Sequence, residues 1–188
     1  MSARKPNRKA TTRLPGDPTL QEDVERMIRV DHAGEYGAVR IYAGQMSVLG
    51  DKASGGAIAR MAEQEARHLA TFDKLIAERR VRPTALLPLW HIAGFALGVG
   101  TALLGEKAAM ACTVAVEETI DEHYAAQVER LGADEPELGK TFEAFRQEEL
   151  EHRDTALEKG AEQAPGYEVL TGVVKAGSRL AIWLSERI

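Results

Sequence analysis

Half of this chain repeats the other half. Glu65 stands three residues ahead of His68, and Glu149 stands three ahead of His152, at an offset of 84 that also lays Thr71 on Thr155. An offset of 82 lays Glu35 on Glu117, Tyr42 on Tyr124, Ala43 on Ala125 and Gln45 on Gln127, so that "YAGQ" overlies "YAAQ". Repetition of this kind means one supersecondary unit used twice. The unit reads as a helical hairpin, with a lone Glu on its first helix and a Glu-x-x-His on its second. The change of offset falls in the loops.

The rest of the sequence agrees with helices. It is 188 residues long, enough for one domain with a core, and is 44% hydrophobic but only 5% aromatic. Helices are expected over 20–49, 57–81, 106–131, 135–162 and 167–187, with loops at "GDKASGG" and "LGADEP" and a stop before Pro83. The fold class expected is all-α, a four-helix bundle of two repeated hairpins with an extra C-terminal helix. Residues 1–19 read as a disordered basic tail ahead of a single domain over 20–188. Arg4, Lys5, Arg8, Lys9 and Arg13 are uncompensated there, which leaves 19 basic against 29 acidic residues in the remainder. So acidic a body argues against nucleic-acid binding. The single cysteine, Cys112, excludes an internal disulfide and reads as a small core residue.

Residues i and i+3 share a helix face, so each Glu-x-x-His aims both groups at one spot. Two such pairs, with one Glu from each remaining helix of a bundle, make the ligand set of a carboxylate-bridged pair of metal ions. Four carboxylates offset the charge of two divalent cations and bridge them, while one imidazole per metal leaves positions open for dioxygen. Taken singly, each Glu is a solvated helix-face charge and each His a core or surface residue. Taken jointly, the repeat makes Glu35, Glu65, His68, Glu117, Glu149 and His152 the candidate metal ligands. Glu118 competes with Glu117 and Glu148 with Glu149; alignment with Glu35 selects the first, and the Glu-x-x-His spacing the second. His123 and Tyr124 are candidates for a supporting or proton-transfer role beside the ligands. His32 reads as a supporting group or a local contact, and His91 as an interfacial or partner-facing residue.

Between the hairpins, residues 83–105 contain no Asp, Glu, Lys or Arg. Their length would license a membrane span. A span would put Glu35, Glu65 and His68 on one side of the bilayer and their partners on the other, so the segment is expected not to cross. Pro88 and the glycines at 94, 98, 100 and 105 suggest a broken or re-entrant helix lying in the membrane interface, with Trp90 and Phe95 as anchors. A buried core hairpin is the plainer reading. An apolar element over a metal site points to a hydrophobic substrate drawn from lipid.

The stretches "VDHAGEYGAVRIYAGQM", "RVRPTALLPLW", "GFALGVGTALLGEKAAMACTVAVEETIDEHY" and "EELEHRDTALE" closely resemble the demethoxyubiquinone hydroxylases of ubiquinone biosynthesis. The similarity runs from about residue 22 to the C-terminal "LSERI". It implies a ferritin-like fold with a carboxylate-bridged di-iron centre, with Glu35, Glu65, His68 and Glu149 serving one iron and Glu65, Glu117, Glu149 and His152 the other. It implies ring hydroxylation of a polyprenyl demethoxyubiquinol by dioxygen, one oxygen atom entering the ring and the other leaving as water. Electrons would come from NADH or from the quinol. The sequence has no GxGxxG fingerprint; the resemblance points instead to segments holding Arg26, Trp183 and Arg187, with Trp183 where some members carry Tyr. Peripheral attachment to a membrane surface and a lipid-binding accessory protein are also implied, and a homo-oligomer is compatible with them. The short N-terminus favours the cytoplasmic face of a bacterial inner membrane over the matrix face of the mitochondrial one. An iron-handling ferroxidase would share the six ligands without needing the apolar insert. A quinol oxidase would reduce oxygen without hydroxylating the ring. A rubrerythrin-like peroxidase would carry a CxxC module, and a non-enzymatic bundle would need no metal.

Overall fold

The computed structural model describes residues 16–188. The expected basic tail therefore lies outside the described residues, except for 16–19, which lead into the first helix. Six α-helices follow: α1 (Leu20–Leu49), α2 (Gly55–Arg79), α3 (Leu87–Leu103), α4 (Glu106–Leu131), α5 (Pro136–Glu158) and α6 (Tyr167–Ser185), with a 3-10 turn at Ala161–Gln163. No strand occurs among the described residues.

Local chemistry sets the boundaries. Thr19 and Glu22 form a reciprocal capping box at the start of α1. α2 stops two residues short of the expected 81 because Arg80 turns left-handed, and the Val81 N–H then bonds the Ile76 carbonyl. α5 likewise ends at Glu158, and only the 3-10 turn continues toward the expected 162.

α1, α2, α4 and α5 form the bundle, α1 packing on α2 and α4 on α5. α3 lies along α1 and α6 lies along α4, so the repeat unit is three helices rather than two. The expectation of a broken or re-entrant segment at 83–105 is wrong, since α3 is one continuous helix. Its glycines serve close approach instead. A Cβ on Gly98 would collide with the Ile41 carbonyl, and one on Gly94 would stand 2.9 Å from the Gly37 carbonyl oxygen. Between α3 and α4 the helical path breaks at Gly105, whose φ of 115° few other residues adopt. No described helix is long and apolar enough to cross a membrane.

The core has two main parts. Tyr42, Leu49, Ile58, Met61, Met110 and Val114 pack at one end of the bundle. Val24, Ile28, Phe72, Leu131, Leu138 and Phe142 pack at the other, with Tyr124. Along every bundle helix a polar stretch falls between these sets, and the candidate ligands occupy it.

Candidate metal centre

Six side chains meet between the two core halves: Glu35 from α1, Glu65 and His68 from α2, Glu117 from α4, Glu149 and His152 from α5. None is more than 2% exposed. They divide into two sets whose donor atoms lie within 4.8 Å of one another, Glu35, Glu65, His68 and Glu149 in one, Glu65, Glu117, Glu149 and His152 in the other. Glu65 and Glu149 belong to both. His68 Nδ1 lies 3.1 Å from Glu149 Oε1 and 3.4 Å from Glu35 Oε2. His152 Nδ1 lies 3.1 Å from Glu65 Oε1 and 3.2 Å from Glu149 Oε2.

Eight of these inward atoms have no well-formed hydrogen bond: Glu35 Oε2, both oxygens of Glu65, Glu117 Oε2, both oxygens of Glu149, and Nδ1 of each histidine. Buried polar atoms are almost always satisfied, so a converging set of orphans calls for a cation. Oxygen and imidazole donors suit first-row transition metals. The residues fit a pair of metal ions.

Their electrostatics say the same. Burial pushes Glu65 and Glu117 well above the usual carboxylate range, and the charge of Glu149 pushes them further. Burial also opposes ionisation of Glu149, but the close approach of the His152 and His68 rings, 3.2 and 3.1 Å from its oxygens, outweighs it and lowers this carboxyl to about 2. Burial would likewise lower both histidines, yet the surrounding carboxylates raise each to about 11. Without metal, protons on the two rings supply the positive charge that the carboxylates require.

Two phenols complete the inner ring. The Tyr42 hydroxyl donates to Glu117 Oε1 at 2.6 Å, and the Tyr124 hydroxyl donates to Glu35 Oε1. Each tyrosine reaches across to the other repeat. Tyr124 is thus brought to the centre, as is Tyr42, whose role sequence reasoning missed although it overlies Tyr124 at the same offset. His123 is not brought there: its Nε2 lies 3.2 Å from Asp31 Oδ1, and Gln127 Nε2 donates to that same oxygen. Glu118 faces outward to Lys175, and Glu148 lies outside the centre against His68 Nε2. His32 is buried with Nε2 3.0 Å from Asp73, and exposed His91 bonds Tyr36.

An apolar groove of about 330 Å³ opens beside the centre, between α3 and α6. Gly34, Ala38 and Val116, neighbours of Glu35 and Glu117, line its floor, and Trp90, Leu97 and Ile182 its walls. At one end Trp90 Nε1 donates to Ser185 Oγ at 3.0 Å, bridging α3 to α6. The residues that the resemblance connects with NADH lie near the end of α6 and the start of α1. Arg187 stacks its guanidinium on the Trp183 ring at 4.4 Å and bonds Glu186 at 3.0 Å, and Glu186 lines a cleft with Arg26, His123 and Arg130.

A helical bundle holding four buried carboxylates and two histidines, crossed between two repeats, belongs to the ferritin-like carboxylate class. Within that class the family described as ubiquinone biosynthesis protein COQ7 matches residues 22–185, and the chain belongs to it. It is 61% identical over 180 residues to the 3-demethoxyubiquinol 3-hydroxylase of Rhodospirillum rubrum, covering 95% of this chain and 85% of that one. It is 56% identical over 169 residues to the human NADPH-dependent 3-demethoxyubiquinone 3-hydroxylase, mitochondrial, covering 88% and 78%. The mitochondrial 5-demethoxyubiquinone hydroxylase of Saccharomyces cerevisiae is 43% identical over 182 residues.

Proposed function

We propose that this protein is a di-iron monooxygenase that hydroxylates the ring of a demethoxyubiquinol, with dioxygen and a reduced nicotinamide as co-reactants. The observation that carries the reading is the set of orphaned donors beside an apolar groove, in a chain 61% identical to a hydroxylase of this substrate. NADH is the reductant expected from the sequence, whereas the mammalian relatives' names specify NADPH.

Glu35 and His68 would hold one iron, Glu117 and His152 the other, with Glu65 and Glu149 shared. When bound, the irons supply activation of dioxygen, which no side chain here supplies alone. The chain's own groups orient and enclose. Tyr42 and Tyr124 fix the unshared carboxylates by charge-assisted hydrogen bonds. The groove takes an apolar ring and the first part of its tail, and its walls keep bulk water from the reacting ring. A lipid-dissolved substrate fits the exposed apolar side chains on α3, its C-terminal cap and α6, among them Leu89, Ile92, Leu103, Leu104, Val173 and Trp183. These support a reading in which the groove mouth meets a bilayer surface, with α3 and α6 as the contact.

The test is to incubate iron-loaded protein with a short-tailed demethoxyubiquinone, NADPH or NADH, and labelled dioxygen, then weigh the quinone. One labelled oxygen in the ring is expected. Oxygen consumption with unlabelled quinone would overturn the hydroxylase reading in favour of an oxidase.

A further inference from the structure

Both imidazoles of the centre turn Nδ1 inward, and their outer nitrogens meet two side chains that the proposed chemistry leaves unused. His68 Nε2 lies 3.2 Å from Glu148 Oε2, and His152 Nε2 lies 3.1 Å from Gln64 Oε1. Gln64 Nε2 donates in turn to Glu148 Oε2 at 3.1 Å. A ring whose Nδ1 binds a cation carries its proton on Nε2. Both rings therefore donate outward, one to a carboxylate and the other to an amide carbonyl. Gln64 precedes Glu65 and Glu148 precedes Glu149, so the two stand at the 84-residue offset of the repeat. Each serves the histidine of the opposite hairpin. The symmetry holds for position and fails for charge.

Resting on the metal reading above, we infer that Gln64 and Glu148 are positioning residues that make the two halves of the centre unequal, the half built on His68 being the stronger cation site. A carboxylate accepting the Nε2 proton makes an imidazole a better donor at Nδ1 than a neutral amide does. The charge-assisted bond also holds the ring more firmly. Arg67 Nη2 shares Glu148 Oε2 at 3.3 Å, but its side chain is 63% exposed, and solvent screens it. The Glu148 side chain is itself 30% exposed, so an isosteric change there leaves the core intact.

The experiment titrates the metal-free protein with cobalt(II). Visible absorption gives the affinities. The paramagnetically shifted ring N–H resonances show which histidine is engaged, with His68 assigned by the loss of its signal in His68→Gln. The wild type should fill in two steps, His68 first. Glu148→Gln should weaken the first step about 10–100-fold, so that both ring signals rise together. The exchange variant Gln64→Glu/Glu148→Gln keeps composition and charge, and should restore two steps with His152 first. A purely structural role would not reverse that order. Two cobalt ions bound with affinities and an order that neither variant moves would overturn this inference and leave the metal reading standing. Wild-type protein that takes up no cobalt would overturn both.

Discussion

At the residue scale, the phenols show how the repeat builds its centre. Tyr42 and Tyr124 are buried and donate hydrogen bonds to Glu117 and Glu35. Replacing either with Phe removes one donor and leaves the ring's packing in place. Tyr42→Phe and Tyr124→Phe should each lower iron affinity or turnover about 10–100-fold, the range for outer partners of metal ligands. Iron content and single-turnover hydroxylation check this, and unchanged values in both variants would count against the crossed arrangement. The phenols were half legible in the sequence: the offset paired them, but only geometry shows which carboxylate each reaches. Gln64 and Glu148 were less legible, because an amide and an acid at matched positions look unrelated until the two imidazoles between them are placed. His123 misled for the opposite reason. Adjacency to Tyr124 put it near the centre in sequence, but a helix turns about 100° per residue, and the ring faces Asp31 instead. Cys112 needed no geometry. Burial pushes its thiol up to about 12, which disfavours the reactive thiolate. An aromatic disulfide reagent should leave it unmodified in the folded protein and titrate one thiol after denaturation. Rapid reaction in the native state would contradict the buried placement.

At the scale of elements, α3 differs most from its expectation. Glycine was read as a breaker, and in this helix it is a spacer. Helix propensity penalises glycine by roughly 0.5–1 kcal/mol, and that local signal is what a sequence displays. The compensating contact with α1 is absent from any local window, because it pairs Gly98 with Ile41 and Gly44 with Phe95. α1 and α4 were legible to the residue because their boundaries rest on local chemistry: the capping box at Thr19, and the glycines at 105 and 132. Two substitutions separate the two roles of glycine. Gly98→Ala would drive a methyl into the α1 backbone, and should cost about 1–3 kcal/mol, lowering the melting temperature by roughly 2–12 °C. Gly100→Ala meets open space and should instead gain roughly 0.5–1 kcal/mol, raising it by about 1–4 °C. Thermal denaturation monitored by circular dichroism distinguishes them. Equal shifts of one sign would mean that close packing does not hold α3 on α1.

Across the whole molecule, the two outer helices couple the centre to its surroundings. The start of α3 meets the end of α6 through Trp90 and Ser185, and the Ala85 N–H bonds the terminal carbonyl of Ile188 at 3.4 Å. The groove lies between these helices, and their outward sides are apolar, with Leu103 and Leu104 each 71% exposed and Trp183 51% exposed. Deleting residues 85–104 is therefore a poor test of bilayer contact. It would strip the cover from α1 and bare its backbone around Gly37, Ile41 and Gly44, so loss of binding would be confounded with misfolding. Substituting exposed side chains avoids this, because they contribute little to the core. Leu103→Glu with Leu104→Glu removes two side chains, each worth about 1.5–3 kcal/mol when fully buried in an apolar phase. Even half of that for the pair is a tenfold change or more in partitioning. The variant should therefore sediment with phosphatidylcholine–phosphatidylglycerol vesicles at least tenfold less than the wild type, while its melting temperature and iron content stay unchanged. Turnover should fall with a tailed quinol presented in vesicles and persist with a short-tailed one in solution. If vesicle binding survives intact, α3 does not face the bilayer, and the tailed substrate must reach the groove by another path.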